Sequence, residues 1–195
     1  MIRHAETLWN CEKRIQGQQD SPLSPRGQLQ AERWALALRS FRWDRILSSD
    51  AGRAVETARR VNAHLNLPVT LEPRLRELDW GRWTAKTIAQ LRAEEADLVA
   101  AQERAGWDFR PPGGESRRSQ LERCRQALLD AAGTWPGQTI LVVAHGGIIR
   151  SLVHDLSGQP IAWAAGVGRQ PYRLNWLSIA QGRLMLDGAD ALDQL

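Results

Sequence analysis

The sequence predicts an α/β protein in which helices cover both faces of a mostly parallel central sheet, a three-layer α/β/α sandwich. Short strand-like runs alternate with longer helical patterns along the 195 residues. Two apolar runs, at 1–3 and 139–144, lead directly into a histidine, His4 and His145. Ligands of such folds bind at the carboxyl edge of the sheet. The arginine before the first histidine, Arg3, indicates a ligand that carries a phosphate group.

Each element is predicted from local signals. Residues 1–3 are expected to end a first strand, and Ser24 with Pro25 is a good cap and first turn for a helix. Downstream, the periodicity predicts strands at 45–48, 68–71 and 139–144, and helices at 51–65, 84–104, 115–132 and 147–156. The segments 172–180 and 183–187 predict a closing hairpin, which would supply an antiparallel edge strand.

Composition favours one domain over 1–195, because no linker, repeat or shift in composition divides the chain. No apolar run approaches the ~18 residues that would span a bilayer, so no membrane partner is expected. The two cysteines do not indicate a disulfide framework, and a cytoplasmic protein is the default expectation. The net charge of +4 suits an anionic ligand. Nucleic acid is not the expected partner, because the arginines are interspersed with acids.

The segment Arg3-His4-Ala5-Glu6-Thr7, followed by Asn10, resembles a family motif. It is similar to the strand-terminal Arg-His-Gly signature of the histidine phosphatase superfamily, also called the phosphoglycerate mutase-like family, with Ala5 in place of glycine. Further segments match in the family's order over nearly the whole chain: 14–17, 20–24, 48–58, 75–81, 112–116 and 144–147. The segment 112–116 also resembles the small phosphatase members, such as the α-ribazole phosphatases and the broad-specificity phosphatases.

The resemblance implies a phosphoglycerate mutase-like fold and a metal-independent phosphomonoesterase that acts through a phosphohistidine on a small phosphorylated metabolite. It implies that His4 is the nucleophile and that Glu77 is the proton donor. Arg3 and Arg53 would hold the phosphoryl oxygens, and His145 would donate another hydrogen bond to the transferring group. No cofactor and no metal are expected, because these cationic side chains already supply the countercharge.

Several neighbouring residues receive weaker assignments. Four more are expected to bind the phosphate: Asn10, Gln16, Gly17 and Gly146. Asp79 is an alternative proton donor to Glu77, since both carboxylates lie in one short segment. Arg150 is interpreted as structural. Four tryptophans adjoin the motifs and are expected to form an apolar wall for the leaving group: Trp9, Trp80, Trp83 and Trp107.

Two other functions stay open. A phosphoglycerate mutase would use the same residues, but the modest span between Glu77 and Pro112 favours access of water and therefore a phosphatase. A non-catalytic module that binds a phosphorylated ligand is the alternative from another class, and the full set of site residues argues against it. The sequence leaves the natural substrate and the oligomeric state open, a homodimer among the states that it allows.

Overall fold

Four short strands build the central sheet of the structure, a computed structural model that describes residues 1–161 and 172–192. They are β1 (Ile2–Arg3), β2 (Arg45–Ser48), β3 (Val69–Leu71) and β4 (Ile140–Ala144). All of them pair in parallel, in the spatial order β1-β4-β2-β3. Their carboxyl ends therefore lie at one edge, and the predicted parallel sheet is confirmed.

Helices connect and cover these strands. The α-helices of the described residues are α1 (Leu8–Cys11), α2 (Pro25–Leu38), α3 (Gly52–Leu65), α4 (Ile88–Glu94), α5 (Ala96–Arg104), α6 (Arg117–Thr134) and α7 (Gly146–Leu156). Short 3-10 turns occur at Pro73–Leu75, Gly81–Trp83 and Gly106–Asp108. As the sequence predicts, Ser24 caps α2, and its hydroxyl accepts the Gly27 N–H at 2.9 Å.

Successive strand residues point into two different cores, because side chains alternate across a sheet. Ile46 and Val143 pack with buried residues of α2 and α3. Leu47 and Val142 pack on the opposite face with buried residues of α6 and α7. Helices therefore cover both faces of the sheet, and the predicted three-layer α/β/α sandwich is confirmed.

The predicted hairpin forms a second, antiparallel sheet of two strands, β5 (Arg173–Ala180) and β6 (Arg183–Ala191). It lies beside β1, where Met1 and Asn175 exchange two backbone hydrogen bonds of 2.7 and 2.9 Å. Such a reciprocal exchange is that of an antiparallel pair. The antiparallel element thus borders the central sheet rather than entering it as a regular strand.

Residues 84–104 form two helices, α4 and α5, where the periodicity predicts one. Thr87 and Gln90 form a capping box, which starts the first helix only at Ile88. The chain leaves helical geometry at Glu95, with φ −139° and ψ 44°. Asp97 then lies in the first turn of α5, where the helix dipole favours a negative charge.

Residues 78–116, which we call the outer segment, have a small core of their own. Its buried members are Leu78, Trp83, Leu91, Val99 and Phe109. Two loops of the segment interlock through glycines. Gly81 has a left-handed φ of +49°, and a Cβ there would lie 2.3 Å from the Pro112 carbonyl oxygen. A Cβ on Gly114 would lie 2.3 Å from the Asp79 carbonyl oxygen, so neither position has room for a side chain.

Candidate active site

The register of the sheet brings the two histidines together. Arg3 pairs with Ala144, the last residues of β1 and β4, so His4 and His145 follow side by side at the carboxyl edge. The His4 N–H donates to the Ala144 carbonyl at 2.9 Å. The ring centroids of the two histidines are 5.3 Å apart, and both side chains are buried. This is the convergence that the sequence predicts.

The His4 ring is held in one orientation. Its Nδ1 lies 2.8 Å from the Ala5 carbonyl oxygen. A carbonyl only accepts, so Nδ1 carries the proton and Nε2 keeps a lone pair in the neutral ring. Burial lowers the pKa of His4 well below 6.5, and the charges of Arg3 and Arg53 lower it further. His4 is therefore a neutral imidazole at pH 7, the form that a nucleophile requires.

His145 is held from the neighbouring strand. Its Nε2 lies 2.8 Å from the hydroxyl oxygen of Ser49, which directly follows β2. Its Nδ1 is buried and has no hydrogen-bond partner among the described residues. Burial lowers the pKa of His145 well below 6.5, and the charges of Arg53 and Arg3 lower it further. Both histidines thus stay neutral because they are desolvated among cations.

Arg53 lies in the first turn of α3, and its guanidinium is buried. Its Nη1 donates to the Gln19 carbonyl at 2.7 Å and to the Asp20 carboxylate at 2.8 Å. Its Nη2 donates to the Gly17 carbonyl at 2.7 Å. Arginine has five N–H donors, so two remain, including the buried Nε, which has no partner among the described residues. Arg3 Nε is likewise buried and without a described partner.

We call Arg3, His4, Arg53 and His145 the phosphate cradle. It holds the buried guanidinium group of Arg53, the partly buried one of Arg3, and two neutral imidazoles, and both guanidinium groups have donors without a described partner. Guanidinium groups of this kind suit the oxygens of a phosphate.

The other predicted phosphate-binding residues differ in their contacts, and two of them, Gly17 and Gly146, adjoin the cradle. Gln16 is buried, and its Oε1 has no partner among the described residues. Gly17 has a φ of +54° and presents its carbonyl to Arg53. A Cβ on Gly146 would lie 3.3 Å from Cδ and Nε of Arg3. Asn10 Oδ1 accepts the Thr7 N–H at 3.1 Å as part of the α1 capping box, so that oxygen has a local task.

Glu77 lies beside the start of α7. Its Oε2 accepts the Gly147 N–H at 2.9 Å, and its Oε1 accepts from the Gln120 amide at 2.8 Å and from the Leu78 N–H at 2.8 Å. A Cβ on Gly147 would lie 2.2 Å from Oε1, so only glycine leaves room for this carboxylate. Asp79 instead accepts the Gly81 N–H at 2.9 Å and stabilises its own loop. Of the two carboxylates, Glu77 is the one held against the helix that follows His145.

The tryptophans expected to form one wall take different places. Trp83 is fully buried in the core of the outer segment, and Trp80 is half-buried beside Phe109, with ring centroids 5.4 Å apart. Trp107 packs instead against the core under α6 and α7. Only part of the expected wall can therefore face a ligand.

Two supporting residues were missed by the sequence analysis. Ser49 holds His145, and the carboxyl-edge rule could have found it, because it directly follows β2. Gln120 holds Glu77 from the first turn of α6, and no local signal marks it.

An α/β sandwich with neutral histidines and open arginine donors at its carboxyl edge defines a class of protein that handles phosphoryl groups. The family model of the histidine phosphatase superfamily (branch 1) matches residues 1–189. The chain belongs to this superfamily. The predicted enzyme class, a histidine phosphatase, is thereby confirmed.

Named relatives include both phosphatases and a mutase. The Salmonella choleraesuis protein named "Probable phosphoglycerate mutase GpmB" is 38% identical over 164 residues, which are 84% of this chain and 76% of that protein. The structure of a mycobacterial glucosyl-3-phosphoglycerate phosphatase in complex with VO3 matches with a TM-score of 0.81 at 31% sequence identity. The match covers 96% of this chain and 95% of that chain. The structure of the α-ribazole phosphatase from Shigella flexneri matches with a TM-score of 0.82 at 28% sequence identity. The match covers 98% of this chain and 95% of that chain.

Two further observations concern residues 1–161 and 172–192. No three His, Cys, Asp or Glu side chains gather there in a group that could hold a metal ion. No helix in these ranges combines the length and apolar character that a membrane span needs.

Proposed function

We propose that this protein is a phosphomonoesterase that hydrolyses a small phosphorylated metabolite through a phosphohistidine on His4. The observation that carries the proposal is the state of His4: buried, neutral and fixed through Nδ1, with its Nε2 lone pair in a cradle of cations. In the first step Nε2 attacks phosphorus in line, and the bond from phosphorus to the ester oxygen breaks. Arg3, Arg53 and His145 stabilise the charge on the phosphoryl oxygens.

Glu77 moves the proton in both steps. In its acid form it gives its proton to the departing alkoxide, and the alcohol leaves. Its carboxylate then takes a proton from water as the oxygen of that water attacks the phosphohistidine. The bond from phosphorus to His4 breaks, inorganic phosphate leaves, and the neutral imidazole and the acid form of Glu77 are restored. The hydrogen bonds from Gly147 and Gln120 fix the carboxylate for both transfers.

We also propose that neither metal nor cofactor takes part, because the cradle supplies the countercharge. The substrate is a small phosphorylated molecule and not a nucleic acid. One domain over 1–195 is supported by a core that combines Ile2, Leu174 and Leu192. A cytoplasmic location is supported by cysteine usage, because Cys11 and Cys124 form no disulfide with any described residue.

A phosphoglycerate mutase is the second candidate, supported by the name of the Salmonella relative. The two functions differ in the acceptor, which is water for the phosphatase and a second hydroxyl for the mutase. Release of inorganic phosphate from simple esters without a bisphosphoglycerate primer favours the phosphatase. Primer-dependent interconversion of phosphoglycerates, with little phosphate released, favours the mutase.

The decisive experiment removes the nucleophile. We expect His4→Ala to lower phosphate release by more than about 10³-fold and to abolish labelling by a ³²P-phosphoryl donor in a rapid-quench experiment. The matched control is His64→Ala on the exposed face of α3, which should keep wild-type turnover and label. A folded His4→Ala protein that still takes up label would mean that another residue is the nucleophile.

A further inference from the structure

A second pair of arginines lies beside Glu77, outside the phosphate cradle. Arg117 begins α6 and is buried, and Arg150 on α7 is partly buried, with its Nε shielded from solvent. The two helices are joined near them, where the Ser151 hydroxyl donates to Gln120 Oε1 at 3.4 Å. Gln120 lies one turn after Arg117, and Ser151 is next to Arg150. The two guanidinium groups therefore belong to one corner of the molecule.

Neither guanidinium has a carboxylate partner among the described residues. Arg117 Nη1 donates to the Gly106 carbonyl at 2.6 Å, and the guanidinium carbon lies 4.8 Å from the centre of the Phe109 ring, so both partners are neutral. Arg150 has neither a hydrogen bond nor an ion pair with any described residue, and its Nε is a buried donor without an acceptor among those residues. On the same helix as Arg117, Arg123 pairs with Glu115 at 2.7 Å. A buried cation without a counterion is costly unless a ligand supplies one.

The charge of Glu77 acts on both arginines, but Glu77 pairs with neither of them. Both of its oxygens are taken by neutral donors, and it forms no ion pair with any described residue. Burial, and after it the charge of Arg150, lower the pKa of Arg117 to about 10, although the charge of Glu77 acts in the opposite direction. The pKa of Arg150 is lowered by burial and by Arg3 and raised by Glu77. Arg3 of the cradle therefore acts on Arg150, and Arg150 in turn acts on Arg117.

We propose that Arg117 and Arg150 form a second anion-binding subsite, which holds an oxyanion carried by the leaving alcohol of the substrate. The inference rests on the proposed function. Glu77 gives its proton to the ester oxygen in that mechanism, and Gln120 and Gly147, each one turn from one of the arginines, hold it. A group bound beside Glu77 and outside the cradle therefore belongs to the leaving alcohol. The oxyanion is a carboxylate or a second phosphate, since both match a guanidinium fork. A neutral aromatic leaving group, as in an α-ribazole phosphate, would leave both arginines without a counterion.

Three matched esters test the subsite on the wild-type enzyme: 2-carboxyethyl phosphate, propane-1,3-diol bisphosphate and neutral-ended 3-hydroxypropyl phosphate. We expect kcat/KM for at least one anionic ester to exceed that of the neutral ester by about tenfold or more. The bisphosphate is corrected for its two equivalent phosphoryl groups. The preferred anionic ester identifies the oxyanion as carboxylate or phosphate. Equal kcat/KM for all three esters overturns the subsite.

Variants then assign the preference to its residues. Arg117→Gln and Arg150→Gln should each lower the ratio of anionic to neutral kcat/KM by about fivefold or more. The control is Arg118→Gln, an adjacent and exposed arginine paired with Asp108, which should keep the wild-type ratio. Thermal unfolding checks that each variant is folded. Equal losses on all three esters in both variants overturn the subsite, because the arginines would then act only through Glu77 or the fold. A folded wild type that hydrolyses none of the esters contradicts the proposed function itself.

Discussion

The phosphate cradle and the outer segment are built in different ways. Every cradle residue lies at or within five positions of the end of a parallel strand, and the sheet register fixes their spacing. The outer segment, residues 78–116, consists of short helices, 3-10 turns and interlocked loops around a core of its own.

This difference separates two tasks. The transferred phosphoryl group is common to all substrates of such an enzyme, so its ligands benefit from the rigid edge of the sheet. The leaving group varies, and a separately packed segment can change its residues without moving the cradle. Glu77 directly precedes the outer segment and touches α7, so it is the junction between the two regions.

The largest expected effect comes from this junction. Glu77→Gln keeps size but cannot carry a proton between the alcohol and water. We expect a loss of about 10²–10⁴-fold on an alkyl phosphate, whose leaving oxygen must be protonated. The loss on an aryl phosphate with a good leaving group should be at least about tenfold smaller when formation of the phosphoenzyme limits the rate, because such a group departs without a proton. Steady-state kcat/KM on both esters measures the difference.

Arg53→Gln is the matched comparison from the cradle. It removes a positive charge that stabilises the phosphoryl oxygens, and both esters have the same phosphoryl group. The loss of kcat/KM, about 10²–10³-fold, should therefore be equal for the two esters. If Glu77→Gln also lost the same factor of kcat/KM on both esters, Glu77 would not be the proton donor, and Asp79 would be the next candidate.

A smaller effect is expected within the outer segment. Gly81→Ala places a Cβ in contact with the Pro112 carbonyl at a left-handed φ. We expect it to lower the free energy of unfolding by about 2 kcal/mol, and Tm by roughly 4–8 °C. Hydrogen exchange should rise at 79–83 and 112–116 but not at β1 and β4. The control is Gly133→Ala on α6, where nothing lies within 4 Å and the change should stabilise the helix by up to about 1 kcal/mol.

An increase in exchange that spread evenly over the sheet would contradict the separation of the two regions. The outer segment would then not be an independently packed unit.

The same contrast explains what the sequence could and could not predict. The strand at 45–48 is predicted residue for residue, and the convergence of His4 with His145 follows from two strand ends in one parallel sheet. Those inferences depend only on the two-residue alternation of side chains along a strand and on the common edge at which parallel strands end.

The outer segment was harder to predict, because its geometry depends on tertiary contacts. The split of 84–104 into α4 and α5 results from a cap at Thr87 and a break at Glu95 that apolar periodicity does not show. The contact of Gln120 with Glu77 joins residues 43 positions apart. Whether Arg150 Nε has a hydrogen-bond partner also depends on tertiary contacts, and it has none among the described residues.

The last expected effect is a pH dependence of stability that originates in the cradle. The pKa values of His4 and His145 are lowered in the folded protein, chiefly by burial. In the unfolded chain both imidazoles take up protons below about pH 6.5. The unfolded state then binds more protons than the folded state, so stability is fully present above that pH and falls as the pH decreases. The slope should approach about 1.4 kcal/mol per pH unit for each histidine between roughly pH 6 and 5.

Urea denaturation between pH 7.5 and 5 measures this slope. The double variant His4→Gln/His145→Gln should have a much flatter profile in that range, because glutamine does not titrate. Asp50, Glu56 and Glu72 have pKa values lowered chiefly by hydrogen bonds from Arg76, Arg59 and Arg74, so their contribution is lost only at lower pH, below about 4.5. A double variant with the wild-type slope would show that the acid sensitivity arises outside the cradle. A flat profile in the wild type would show that the folded protein takes up the same protons below about pH 6.5, which would contradict the lowered pKa values of both histidines.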